Sequence, residues 1–120
     1  MLDGVADADV GPAAADVARH RIIDIGEALA EIELHVDAVR HGNQQGTVHG
    51  GLLCELADAA IGTAHSTLMN EGESFTSIDL KATFLRPVWQ SRLRALARAT
   101  HRGSTRCHYQ CDIHRDDGKV

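Results

Sequence analysis

From His49 to about Met69 the chain carries a helical pattern that is apolar around most of its circumference, and no other segment constrains the fold as much. Leu52, Leu53, Leu56, Ala57, Ala60, Ile61 and Ala64 leave few directions for solvent. A helix of that kind is stable only when other elements cover it. Asn70-Glu-Gly72 supplies its stop. The flanking segments are strand-like. Val17–Ile25 and Ala28–Val36 precede the helix, and Ile32, Leu34 and Val36 alternate there with Glu33 and His35. Ala28–Ile32 also reads as a helical turn. Ser74–Leu85, Arg92–His101 and Thr105–His114 alternate after the helix, and Arg86-Pro87 stops the first of these. The order is two strands, one long helix, then at least three strands. The expected class is α+β, an antiparallel sheet around a central helix.

The chain's 120 residues make one domain, expected over 17–120, behind a loose Ala-, Asp- and Gly-rich tail at 1–16. Aromatic residues are only 3% of the chain, so Leu, Ile, Val and Ala must build the core. Such a core is thin for this length, and burial against a second subunit would help it. The net charge of −5 argues against nucleic acid as the main partner. No apolar run is long enough to span a membrane. The acidic start (Asp3, Asp7, Asp9) lacks the basic-then-apolar order of a signal peptide, so the default compartment is the cytoplasm. Cys54, Cys107 and Cys111 form no zinc-type pair. Cys107 and Cys111 would lie ~13 Å apart along one strand, too far for a disulfide. All three read as free buried thiols. His101, Cys107, His108, Cys111 and His114 are rich in metal-ligating types, but strand alternation spreads them over both faces, so no metal is expected.

The chemistry concentrates in the loop before the helix and in its first turns. Asn43-Gln-Gln-Gly46-Thr-Val-His49-Gly50-Gly51 places a polar loop and two glycines at the helix start. A helix N-terminus offers free N–H groups and a positive dipole end. Asp58 follows in an otherwise small and apolar helix, where a carboxylate is costly unless it is used or paired. Gly51, Glu55, Asp58, Gly62 and His65 recur at spacings that form one narrow stripe. Gly51 and Asp58 therefore share a face, yet stand ~10.5 Å apart along the axis. One carbonyl cannot reach both within a single helix. Two helices packed antiparallel would bring the N-terminus of one beside Asp58 of the other, so a two-fold dimer with two equivalent sites is expected.

The pattern N-x-x-G-x-x-H-G-G-x-x-x-x-x-x-D, Asn43 to Asp58, resembles hotdog-fold acyl-CoA thioesterases of the phenylacetic-acid-pathway (PaaI-like) type. Ser77-Ile-Asp79-Leu-Lys-Ala-Thr-Phe84-Leu-Arg86-Pro87 looks like that family's next strand and its exit, and the resemblance runs over about 17–120. It implies a curved antiparallel sheet wrapped around one helix, and a dimer, often paired into a tetramer, with sites between subunits. It implies that Asp58 is nucleophile or general base and that the Gly51 N–H polarises the thioester carbonyl. It also implies that Asn43 positions carbonyl or water, that His49 supports the loop and thioester, and that Ser77 helps hold the water. Gly50, Glu55 and Arg86 are the candidate substrate contacts. In that arrangement Asp58 and Ser77 come from one subunit and the loop residues from its neighbour. No cofactor is expected, since coenzyme A belongs to the substrate. The family carries a further strand after the turn at Asp116-Asp117-Gly118, and here only Lys119-Val120 follow. Two other readings stand beside the thioesterase: an acyl-thioester dehydratase or hydratase on the same fold, and a non-catalytic acyl-CoA-binding protein. Each residue also has a plain reading: Asp58 as an acid paired across the dimer, Asn43 as a turn former, His49 as a loop brace, Ser77 as an ordinary strand residue.

Overall fold

The computed structural model describes residues 21–120. Its strands are β1 (Arg21–Gly26), β2 (Leu29–Asp37), β3 (Gln90–Arg102) and β4 (Cys107–His114). Its helices are a short α1 (Ala38–His41) and the long α2 (Gly50–Ser66). The sheet order is β1-β2-β3-β4, and every neighbouring pair is antiparallel. Expected residues 17–20 of the first strand, and the tail at 1–16, lie outside the described residues.

Alternation builds the core. Ala30, Ile32, Leu34 and Val36 on β2 face the same side as Leu93, Ala95 and Ala97 on β3. The register sets Ala30 against Ala97, Ile32 against Ala95 and Leu34 against Leu93, so each rung joins two buried side chains. α2 lays Leu52, Leu56, Ala60 and Ala64 onto this layer. Four residues at intervals of four make one helical face. Alanine on both layers lets helix and sheet approach closely. Leu34, Leu56 and Leu93 are the largest fully buried side chains, and each contributes roughly 1.5–3 kcal/mol by burial. On β2, Glu33 is also buried, between Arg92, Arg94 and His35. The β1–β2 turn holds Ala28 at φ 54, a left-handed conformation unusual for alanine. Two hydrogen bonds fix it: its N–H donates to Thr67 Oγ1 at 2.7 Å, and its carbonyl accepts from the Ala99 N–H at 3.0 Å.

Three expectations are corrected. α2 stops at Ser66 rather than near Met69: the Thr67 N–H turns back to Ala64 and His65, and Leu68 and Met69 make only short-range turns. As expected, one stripe of the helix stays uncovered: Gly51, Glu55 and Asp58 are exposed, while Leu52, Leu56, Ala60 and Ala64 face the sheet and Leu53, Ala59 and Ile61 pack at its margin. Ser74–Leu85 does not form a strand. That segment has the alternation but no ladder partner among the described residues, and two aromatic side chains seat it on the helix instead. The Phe84 ring lies so close to Gly50 that a Cβ there would sit 3.0 Å from it, and Phe75 approaches Gly62 in the same way at 3.5 Å. The three cysteines are free, as expected, but only half-buried. Burial, with a smaller push from the Asp112 charge, raises the Cys111 thiol to about 12.

Candidate active site

The loop before α2 is organised by Asn43. Its Oδ1 accepts from the N–H groups of Gln45 (2.9 Å) and Thr47 (3.1 Å), and its Nδ2 donates to Thr47 Oγ1 at 3.0 Å. Gly46 completes the turn at φ 81, where a side chain would be strained. Both ends of the loop are clamped. Val48 N–H donates to the Val88 carbonyl, and His49 N–H to the His41 carbonyl, each at 2.8 Å. His49 is the N-cap residue of α2, but its side chain makes no capping bond and is exposed. The N–H groups of Gly50 and Gly51 belong to the first turn, where no earlier helical carbonyl can reach them. A Cβ on Gly51 would meet nothing within 4 Å. This helix start is open to an incoming group.

Two turns further on, Asp58 is exposed on the same face. Ser77 Oγ donates to Asp58 Oδ1 at 2.6 Å. That bond orients the carboxylate and leaves Oδ2 with no hydrogen bond among the described residues. Here the unpaired segment has a use: Phe75 on Gly62 and Phe84 on Gly50 hold Ser77 against the helix. Glu55 lies on the exposed stripe between the two halves. Arg86 lines the same cleft as Asp58 and Ser77 and donates from Nη1 to the Val120 carbonyl at 2.9 Å. The chain thus brings Asp58 and Ser77 together, and separately gathers Asn43, His49, Gly50 and Gly51. It does not join the two groups within one copy.

Sequence reasoning placed His65 on the stripe but gave it no partner. Its Nδ1 lies 2.8 Å from the Tyr109 hydroxyl, and its ring packs edge-on against Phe75 at 5.0 Å. Burial raises the Tyr109 phenol above its ordinary value, and Cys107 adds to this while Arg102 opposes it. The signal for Tyr109 is weak in sequence, because it needs the β3–β4 register to place a strand residue opposite a helix end. His65, Tyr109, Asp58 and Ser77 line one cleft of about 790 Å³.

An open antiparallel sheet crossed by one long helix, with an exposed carboxylate on that helix, defines an α+β protein of the hotdog class. Residues 45–120 match the model of the thioesterase superfamily. The chain belongs to that family and is by family a thioester hydrolase of the PaaI-like type. It is 30% identical, over 76% of its length, to the proofreading thioesterase EntH of Klebsiella pneumoniae, and spans 66% of that relative. The Escherichia coli PaaI protein of the phenylacetic acid degradation operon superposes with a TM-score of 0.81 at 27% identity, covering 98% of this chain and 82% of that one. A Haemophilus influenzae thioesterase superposes with a TM-score of 0.85, also at 27% identity, covering 99% and 82%. Among the described residues no helix is long and apolar enough to cross a membrane.

Proposed function

We propose that the protein hydrolyses an acyl-CoA thioester to the free acid and coenzyme A, with Asp58 as nucleophile or general base. The observation that carries this reading is the exposed Asp58 carboxylate held by Ser77 Oγ at 2.6 Å, with its second oxygen left for chemistry. The reading needs two copies. α2 packed antiparallel on its counterpart sets the partner subunit's Gly51 beside Asp58, and the exposed stripe of Gly51, Glu55 and Asp58 is the face that makes this contact. Pairing of such dimers into tetramers goes with the family. The Gly51 N–H then donates to the thioester oxygen as negative charge develops there, a stabilisation of ~3 kcal/mol per donor. Asn43 holds the loop that aims this N–H, His49 lines its approach, and Gly50 lets Phe84 pack closely enough to fix the helix start. Glu55 and Arg86 are the remaining candidate contacts for the coenzyme A portion.

Asp58 either adds to the carbonyl carbon, giving a mixed anhydride that water then cleaves, or takes a proton from the water that adds. In both routes the C–S bond breaks and the thiolate leaves, a good leaving group that needs little acid assistance. No metal or cofactor enters either route.

The test is coenzyme A release from a panel of acyl-CoAs, followed by chromatography because three free thiols would consume a thiol-reactive dye. Asp58→Asn is expected to lower turnover by ~10²–10⁴-fold with an unchanged unfolding midpoint, since the side chain is exposed. Turnover within threefold of the original chain would remove Asp58 from the reaction. A folded dimer that binds acyl-CoA and releases nothing would favour the binding protein.

A further inference from the structure

Ser77 Oγ meets Asp58 Oδ1 at 2.6 Å, yet both residues are exposed. Water competes for such a bond, which persists only where its two groups are already ordered. Asp58 stands on a helix. Ser77 stands on a segment with no ladder among the described residues. Side-chain contacts must therefore keep that segment in register with the helix.

The first of these contacts lies two residues back, at Phe75. Side chains at i and i+2 of an extended chain point to one side, ~6.7 Å apart. A helix climbs ~6 Å between i and i+4, and Asp58 and Gly62 stand at that interval. The two spacings match, so a Phe75 ring seated on Gly62 puts Ser77 over Asp58. Gly62 is the floor of the seat: a Cβ there would lie 3.5 Å from Phe75 Cζ. His65 is its wall, with ring centroids 5.0 Å apart at an interplanar angle of 68°. A glycine floor sets the depth of the ring, and only the wall limits its slide along the helix.

The wall is fixed from a third element. His65 Nδ1 and the Tyr109 hydroxyl on β4 are 2.8 Å apart and share one hydrogen bond in either tautomer. The two rings also meet edge-on, with centroids 5.8 Å apart. Burial raises the Tyr109 phenol above its ordinary value, so the hydroxyl keeps its proton at neutral pH. The β3–β4 ladder sets Tyr109 opposite Ala99. Support thus runs from the sheet through Tyr109 and His65 to Phe75, and ends at Ser77.

We propose that Tyr109 and His65 are positioning residues of the site, which lock the seat of Phe75 and so hold Ser77 Oγ on Asp58. This rests on the reading of Asp58 as the reacting carboxylate. Neither residue needs to touch the thioester.

The test compares Tyr109→Phe, which keeps the ring and removes the hydroxyl, with His65→Asn, which keeps a polar group for that hydroxyl and removes the wall. Turnover and the unfolding midpoint are measured beside Ser77→Ala and Asp58→Asn, together with the nuclear Overhauser effect between the β-protons of Ser77 and Asp58. In both variants kcat is expected to fall ~10–100-fold with KM within about twofold. The midpoint should move by no more than a few degrees, and the Ser77–Asp58 signal should vanish. On a Ser77→Ala background neither change should lower kcat further, because the support has nothing left to aim. A merely structural role would lower the midpoint and add its loss to that of Ser77→Ala. Should one variant fail to fold, the other carries the test. The proposal is overturned if kcat holds in both variants while Asp58→Asn collapses, or if their losses add in full to that of Ser77→Ala. Where Asp58→Asn keeps its turnover, or no acyl-CoA is cleaved at all, the catalytic reading falls and the Ser77–Asp58 signal alone decides: its loss in the variants leaves the positioning role standing, and its survival removes that too.

Discussion

Among the described residues, β3 is paired on both sides along most of its length, and residues 74–86 are paired on neither. The two segments are otherwise alike in length and in alternation. On β3 the alternation is cashed in: Leu93, Ala95 and Ala97 are fully buried and every rung has a partner. Along 74–86, Phe75, Ile78, Leu80 and Phe84 stay exposed, and two rings and the Ser77–Asp58 bond hold the segment to the helix. An alternating pattern specifies which faces a strand would have. It does not supply the neighbour that satisfies the backbone, and without a neighbour an extended segment gains little. The proposed site draws on the same segment, since Ser77 reaches Asp58 from it.

Proline separates the two segments most sharply. Ala95 stands between Ile32 and Ile113 in the middle of three strands. Ala95→Pro removes a ladder donor from a central strand, where proline is excluded, and should abolish cooperative unfolding. Ile78→Pro removes no ladder bond and should leave the thermal midpoint within a few degrees. Matched losses in the two variants would show that 74–86 is paired in solution. Side-chain truncation gives a smaller version of the same contrast. Leu93→Ala empties a site of 0% exposure and should cost ~2–5 kcal/mol in denaturant unfolding. Ile78→Ala acts at 75% exposure and should stay within about 0.5 kcal/mol. A cost above ~2 kcal/mol at Ile78 would place it inside an interface.

The same contrast explains what could be read from the amino acids. β2, β3, β4 and α2 were legible because their periodicity and their partners both lie within the described chain. Leu34 opposite Leu93 needs only the two alternations and an antiparallel pairing. The Ser74–Leu85 strand was misplaced because its periodicity is local while its pairing is not. The extent of α2 was overread because Thr67 and Leu68 suit a helix, yet Thr67 Oγ1 is needed to hold the Ala28 turn. At the site, Asp58 stood out as an acid among small residues, and the loop glycines as a helix start. The resemblance put Ser77 and Asp58 in one subunit but not their bond, which joins positions 19 apart across an element with no regular ladder. The His65–Tyr109 pair, 44 positions apart, had no local signal at all.

β4 lies between the two extremes, paired on one side only among the described residues, and its Cys111 reports how well a single partner shields a strand. Burial holds this thiol protonated, up to about 12 against an ordinary 9.0. The unfolded chain loses that proton first as pH rises. Between pH 9 and pH 12 the native state therefore binds more protons than the unfolded state, and stability falls with pH. The stabilisation is fully present below about pH 9 and is lost as pH approaches 12. The slope is at most ~1.4 kcal/mol per pH unit for one group. Tyr109 has an ordinary value of 10.0 and is shifted the same way, so the interval from 9 to 10 belongs chiefly to the thiol. Denaturant midpoints at pH 7.5, 9 and 10 should fall over the last interval, and Cys111→Ala should flatten that fall while lowering the midpoint at pH 7.5. An unchanged slope in the variant would mean that water reaches the thiol from the open side of β4, and that one paired edge gives a strand no more protection than 74–86 receives from none.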